Sequence, residues 1–424
     1  MPVAAEDLGG LRLYGWVFSA FFLGQIMGTV TAGRSADRAG PARGFVAALA
    51  CFGAGLAIAG LAPAMEVIVA ARAIQGVGAG AMLALAYVLI GRTYPTTIQP
   101  RVLAVISSSW VIPALVGPAL AGTVADGIGW RWVFLGLVPL VLVAGAITLP
   151  AMSGIGPPEP GGPEPPDRRR AAVVLTVGAA LALAGATSHR ALIGVPLAVI
   201  GLTVGGRTFL RMLPTGAARF APGAPAATAV RFLVAASYFG VDAFVALTLN
   251  EVRGTSAAVS GVALSAASLT WVTGAWIQER KVRDLGPRRF VRTGMAILAV
   301  AIAGLVVTAA RPVPILVPVA AWALGGLGMG MTYAPLWLVV FSLAPTGTEG
   351  TASASLQLSD TLGIAFGTGA VGAVVAGGAG AGWDTGTALA IAFAGCGVIA
   401  AVASVTAGRI PRSLDERPPA APAV

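Results

Sequence analysis

Three charged side chains interrupt long apolar runs: Arg72 in "RAIQGVGAGAM", Asp242 in "YFGVDAFVAL" and Asp360 in "QLSDTLGIAFG". An ionisable group in hydrocarbon is costly, so it is paired, held neutral, or used to carry a proton or meet a cation. Counted along a helix from Glu349, Asp360 lies roughly 15 Å deep, close to the centre of a hydrocarbon layer, and Arg72 lies ~8–10 Å inside the outer boundary. A structural role is the alternative for each. Asp360 can be a neutral acid bonded to a neighbouring helix, Arg72 can extend its head outward, and Asp242 can pair with Arg253 or Arg231. Other chemistry is missing from the chain. The single histidine, His189, falls in an outer turn, which leaves no cluster for a metal or a Ser/His triad. Cys51 and Cys396 each sit inside an apolar run and read as small core residues. The sequence therefore predicts no enzyme, no metal and no cofactor.

The elements that must position these charges are membrane helices. Of 424 residues, 57% are hydrophobic and 10% charged, with a mean hydropathy of +0.86; a soluble domain has no use for that much apolar surface. A hydrocarbon core of ~30 Å takes about 20 apolar residues per helix. On that basis the chain divides into thirteen spans: 13–33, 44–65, 67–91, 102–125, 132–150, 171–187, 191–206, 227–249, 255–278, 293–310, 313–342, 350–377 and 385–408. The net charge of +10 would raise nucleic acid as a partner in a soluble protein, but its placement argues otherwise. With the first span running inward, only Arg12, Arg131, Arg190, Arg253 and Arg311 of the 27 Lys and Arg lie outside, and Arg72 and Arg231 fall within spans. The remainder lie inside, which places the C-terminus in the cytoplasm.

The tract "GRSADRAGPAR", Gly33 to Arg43, reads as a tight charged turn between the first two spans. Its "GPAR" recurs as "GPRR" at Gly286 to Arg289, each preceded by an aspartate, Asp37 and Asp284. Similarity at half a chain's spacing is expected of two related halves; independent basic turns are the other explanation. "GIGPPEPGGPEPPDRRR", from Gly154, is too rich in Pro and Gly to pack and reads as a cytoplasmic linker. "RMLPTGAARFAPGAPA", from Arg211, reads as irregular backbone at the cytoplasmic interface.

Gly33, Asp37, Arg38 and Gly40 match the Gly-x-x-x-Asp-Arg-x-Gly turn after the second helix of the major facilitator superfamily, which this chain resembles over nearly its whole length. Pro41 and Ala42 replace basic residues usual there, and Arg43 remains. Arg72, Gln75, Gly76 and Gly80 resemble the fourth-helix motif of that family's proton-coupled drug exporters. "VGPALAG", with Gly117, Pro118 and Gly122, resembles the fifth-helix motif of its antiporters, and "GWRWVF", from Gly129, resembles the turn that follows. From the residues alone, Gly76 and Gly80 form a small-residue packing face, and Pro118 predicts a kink.

The resemblance implies an all-α integral membrane fold of two pseudo-symmetric bundles: 1–153, the linker 154–170, two inserted helices in 171–210, a six-helix bundle 211–408 and a cytoplasmic tail 409–424. It implies a monomeric exporter in the inner membrane, driven by a proton gradient, that moves small hydrophobic or cationic molecules by alternating access. Arg72, Asp360 and Asp242 would couple protons. Gln75, Tyr87, Tyr238, Phe239, Trp322, Tyr333 and Trp337 would line the substrate cavity. Gly33, Asp37, Arg38, Gly40, Arg43, Gly117, Pro118 and Gly122 would serve the conformational change. An uptake symporter and a non-transporting scaffold or sensor are the alternatives. Against the family's fourteen helices the chain shows thirteen, and "MPVAAEDLGG" resembles the exit from the family's first helix. The expectation is a further apolar run encoded in frame upstream of Met1.

Overall fold

In hydrocarbon the backbone must satisfy its own polar groups, and for segments this rich in Leu, Val, Ala and Gly the helix does so within each segment. A computed structural model describes residues 1–39, 41–93, 98, 102, 111–152, 169–188, 190–311, 313–344 and 349–413. Among them there is no strand. The helices are α1 (Pro2–Asp7), α2 (Tyr14–Ala39), α3 (Pro41–Gly60), α4 (Met65–Thr93), α5 (Val111–Gly127), α6 (Arg131–Leu135), α7 (Leu137–Met152), α8 (Arg169–Ala186), α9 (Ala191–Met212), α10 (Ala224–Leu247), α11 (Ala257–Leu285), α12 (Pro287–Ala310), α13 (Leu316–Ser342), α14 (Glu349–Gly380) and α15 (Thr385–Thr406).

Among the described residues, twelve helices are long and apolar enough to cross a membrane, with α6 and α7 together making one of them. The thirteenth expected span, 102–125, is represented by the 17-residue α5; its residues 103–110 lie outside the described residues, as do His189 and most of the linker 154–170.

Two compact units divide the chain, Met1–Gly206 and Arg207–Val424. The inserted pair packs with the first. Gly178 and Gly205 face one another across α8 and α9, as do Gly185 and Ala198, and the Trp16 indole N–H at the start of α2 donates to Thr187 Oγ1 at 3.2 Å.

One correction concerns the charged tract. Gly33 to Ala39 are not a turn but the last two turns of α2, and α3 begins at Pro41. Bilayer thickness sets the apolar length of a helix, not its end, so charged residues can continue it into water. Pro41 restarts the next helix where its missing N–H costs nothing. The second copy has the same grammar. Helix α11 runs to Leu285, Gly286 takes φ +79°, and Pro287 opens α12. A side chain at Gly286 would both strain the backbone and run into the Arg412 carbonyl.

Glycines set the tightest helix crossings. On α4, Gly76 and Gly80 lie against the carbonyls of Phe21 and Gln25 on α2. On α13, Gly326 and Gly330 lie against the carbonyls of Ala267 and Trp271 on α11. At all four a Cβ would collide with backbone, so the close approach requires glycine.

The "GWRWVF" turn is tied to α1. Asp7 Oδ2 accepts from the Trp130 indole and from Arg131, both at 3.0 Å, while the Arg131 guanidinium lies 4.4 Å from the Trp130 ring. The Trp130 bond, then the Arg131 bond, hold the Asp7 carboxyl below its usual range. Helix α5 is barer: Ile112 and Leu120 are 72% and 59% exposed, and a side chain added at Gly117 would meet nothing.

Candidate functional site

The second unit gathers the charges and aromatics into two rungs between α10 and α13. Arg231 and Asp242 are eleven residues apart on α10 (231 to 242), and Trp322 and Tyr333 are eleven apart on α13 (322 to 333). Eleven residues make about three helical turns, so each pair shares a face and the rungs are ~16 Å apart along the axis.

The inner rung is a closed ion pair. Arg231 Nε donates to Asp360 Oδ1 on α14 at 2.8 Å, and the Tyr333 hydroxyl donates to Asp360 Oδ2 at 2.6 Å. Arg231 Nη1 donates to the Tyr333 carbonyl at 2.9 Å. The guanidinium carbon stands 3.1 Å from the Tyr333 ring centroid and 5.9 Å from that of Trp337, and Trp337 stacks on Phe341. Arg231 is 1% exposed and Asp360 4%. Both oxygens of the Asp360 carboxylate accept from donors. Protonating it would leave a buried cation without its counter-ion.

The outer rung has a carboxylate without a cation. Asp242 Oδ1 accepts from the Trp322 indole N–H at 2.9 Å, and among the described residues it forms no ion pair. The sequence offered Arg253 or Arg231 as its partner, and the structure corrects both. Arg231 is turned to Asp360, a full three turns away, and Arg253 donates to the backbone carbonyls of Arg311 and Val313. Protonating Asp242 strands no cation.

Aromatic rings join the rungs. Tyr238 stacks on Trp322 with centroids 4.9 Å apart and meets Trp271 edge-on at 5.4 Å. Trp271 in turn meets Tyr333 at 5.3 Å, and Phe239 closes the side against Tyr238 and Trp271. Tyr238, Phe239, Trp322, Tyr333 and Trp337 are thus gathered in one unit. The sequence reading misplaced one participant and missed another. Arg231 was offered only as a partner for Asp242, and Trp271 gave no signal beyond its type.

In the first unit, Arg72 Nε donates to the Val17 carbonyl at 3.3 Å, Nη1 donates to Gln75 Oε1, and the guanidinium lies 4.2 Å from the Phe21 ring. These partners are all neutral. Gln75 is buried behind it on the next turn of α4. Tyr87 lies on α4, and Gly33, Asp37 and Arg38 on the last turns of α2, with side chains outside the described residues; Gly40 also lies outside them. Arg43 is exposed near the start of α3, and Gly117, Pro118 and Gly122 lie within α5, which continues through the proline. Among the described residues no group of His, Cys, Asp or Glu could hold a metal.

A family model described as Major Facilitator Superfamily matches residues 1–368. The chain is 28% identical over 394 residues to a protein of Mycobacterium tuberculosis (strain ATCC 25618 / H37Rv) named a probable multidrug-efflux transporter, covering 88% of this chain and 82% of that one. It is 25% identical over 390 residues to the multidrug transporter protein MdtP of Bacillus subtilis (strain 168), covering 88% and 71%. Among solved structures, a D-xylose-proton symporter aligns with a TM-score of 0.66 at 15% identity, over 97% of this chain and 91% of that one. An auto-inhibited POT family peptide transporter aligns at 0.65 and 18% identity, over 94% and 88%. At such identities the structures speak for the fold alone.

Proposed function

The chain belongs to the Major Facilitator Superfamily, and from that premise we propose that it is an exporter exchanging protons for small hydrophobic or cationic organic molecules by alternating access, in the manner of the fourteen-helix drug:proton antiporters. It is a multi-pass membrane transporter and not an enzyme. The observation that carries the finer reading is the pair of unlike carboxylates in the second unit. Asp360 is held by Arg231 and Tyr333, whereas Asp242 has an indole N–H and, among the described residues, no cation. An exchanger needs a group that can gain and lose a proton without stranding a partner, and Asp242 is that group. The partly exposed rings of Phe239, Trp271, Tyr333 and Trp337 offer apolar surface suited to lipophilic cations. The names of the relatives, multidrug efflux among them, favour export over uptake.

The energy source in this reading is the proton gradient, with no cofactor. The protein works as a monomer in the bacterial inner membrane with its C-terminus in the cytoplasm, as the distribution of arginines indicates.

Everted membrane vesicles test the function. After acidification of the lumen, ethidium should enter the lumen and dissipate the pH gradient, with both effects absent from vesicles lacking the protein. Ethidium and protons leaving the lumen together would make the protein an uptake symporter. Movement of neither would make it a non-transporting scaffold.

A further inference from the structure

Arg231 lies in its pocket as a ligand lies in a binding site. Its guanidinium plane covers one aromatic ring and stands beside a second, one N–H meets a carboxylate and another a backbone carbonyl, and almost none of it reaches the surface. A planar cation with several donors fits such a place better than a tetrahedral ammonium does, because it stacks and forks its hydrogen bonds at once. Tyr333 contributes three ways: ring, carbonyl and a hydroxyl on the carboxylate's other oxygen. The receiving groups come from α13 and α14, and the cation comes from α10, so the receptor is complete without the helix that fills it.

We propose that Asp360, Tyr333 and Trp337 form a seat for a guanidinium or amidinium group, filled in this conformation by the chain's own Arg231 and open to such a group on a transported molecule when Arg231 withdraws. The inference rests on the export reading and names its substrate class. Arg231 is then a tethered competitor. It keeps Asp360 paired when no substrate is present, and a substrate cation takes over the same carboxylate without leaving it bare. A merely structural ion pair would do the first and not the second.

The test is binding in detergent, which needs no proton gradient and so succeeds or fails independently of transport. Full-length Arg231→Ala, Arg231→Lys, Asp360→Asn and wild-type proteins are melted with ethylguanidinium chloride, tetramethylammonium chloride or sodium chloride at equal concentrations. Arg231→Ala is expected to melt below wild type and to recover several degrees of Tm, saturably, with ethylguanidinium alone, because a ligand bound only to the folded state raises Tm. Arg231→Lys keeps Asp360 paired and provides the folded variant if the alanine form fails; it should give the same guanidinium-selective rise at higher concentration. Asp360→Asn should give none. Equal responses to all three salts, a guanidinium response that persists in Asp360→Asn, or no response in either Arg231 variant that folds would overturn the proposal.

Discussion

The α2–α4 crossing of the first unit and the α11–α13 crossing of the second are built alike and carry unlike cargo. In each, two glycines four residues apart sit on two carbonyls four residues apart: Gly76 and Gly80 on Phe21 and Gln25, Gly326 and Gly330 on Ala267 and Trp271. One turn before the first glycine, α4 carries Arg72 and α13 carries Trp322. Trp322 donates to a carboxylate, Asp242, whereas Arg72 donates to Gln75 and a backbone carbonyl and lies over a phenyl ring. The repeat therefore lies in how closely the backbones approach, and the charges were fitted to each unit separately. The crossings are scaffold, and function is to be sought where the units differ.

The largest effects should come from breaking what the units share. Gly80→Leu and Gly330→Leu each drive a side chain into the facing backbone, and both should abolish recovery of monodisperse protein on size exclusion. The alanine versions should cost about 1–3 kcal/mol each, as overpacking does. Tolerance of leucine at either site would show that its crossing is not a close contact.

Next in size is the buried ion pair of the second unit. Arg231→Ala leaves Asp360 buried and uncompensated, a loss of about 3–5 kcal/mol, and adding Asp360→Asn should restore much of it in a thermal melt. If the double variant is no more stable than the single, the two side chains are not coupled. Arg72→Ala removes hydrogen bonds to neutral partners and should cost less, about 1.5–3 kcal/mol, while slowing ethidium export at least tenfold. Export at the wild-type rate would make Arg72 structural.

The smallest effect concerns the clip between α1 and the "GWRWVF" turn. Because its hydrogen bonds from Trp130 and Arg131 lower the Asp7 carboxyl, whatever stability it adds is present above the ordinary carboxylate range near 3.8 and is lost as pH falls through the lowered value. The Tm difference between wild type and Asp7→Asn should accordingly shrink toward zero on acidification below that range. A difference that grows would reverse the assignment.

Much of this was legible in the sequence, and for identifiable reasons. Twenty apolar residues at a stretch and Gly-Pro pairs after Asp37 and Asp284 each follow from a local rule. So did Gly76 and Gly80 as a packing face. The charged tract was misread because bilayer length measures where apolarity stops, and α2 continues beyond that point to Ala39. The site was legible only in part. Asp242 and Asp360 stand out because a carboxylate in an apolar run is conspicuous in one dimension. Their partners depend on the relative register of α10, α13 and α14, which no local pattern encodes, so Arg231 was placed near the wrong aspartate and Trp271 passed unnoticed.

The central claim is that Asp242, free of any cation among the described residues, carries the exchanged proton. It is tested most directly by measuring proton release on substrate binding, with purified protein in weakly buffered detergent, a pH indicator and ethidium as the ligand. Wild type should release protons in proportion to ethidium bound, and Asp242→Asn should bind ethidium with little loss of affinity and release none. Release from Asp242→Asn equal to that of wild type would contradict the account.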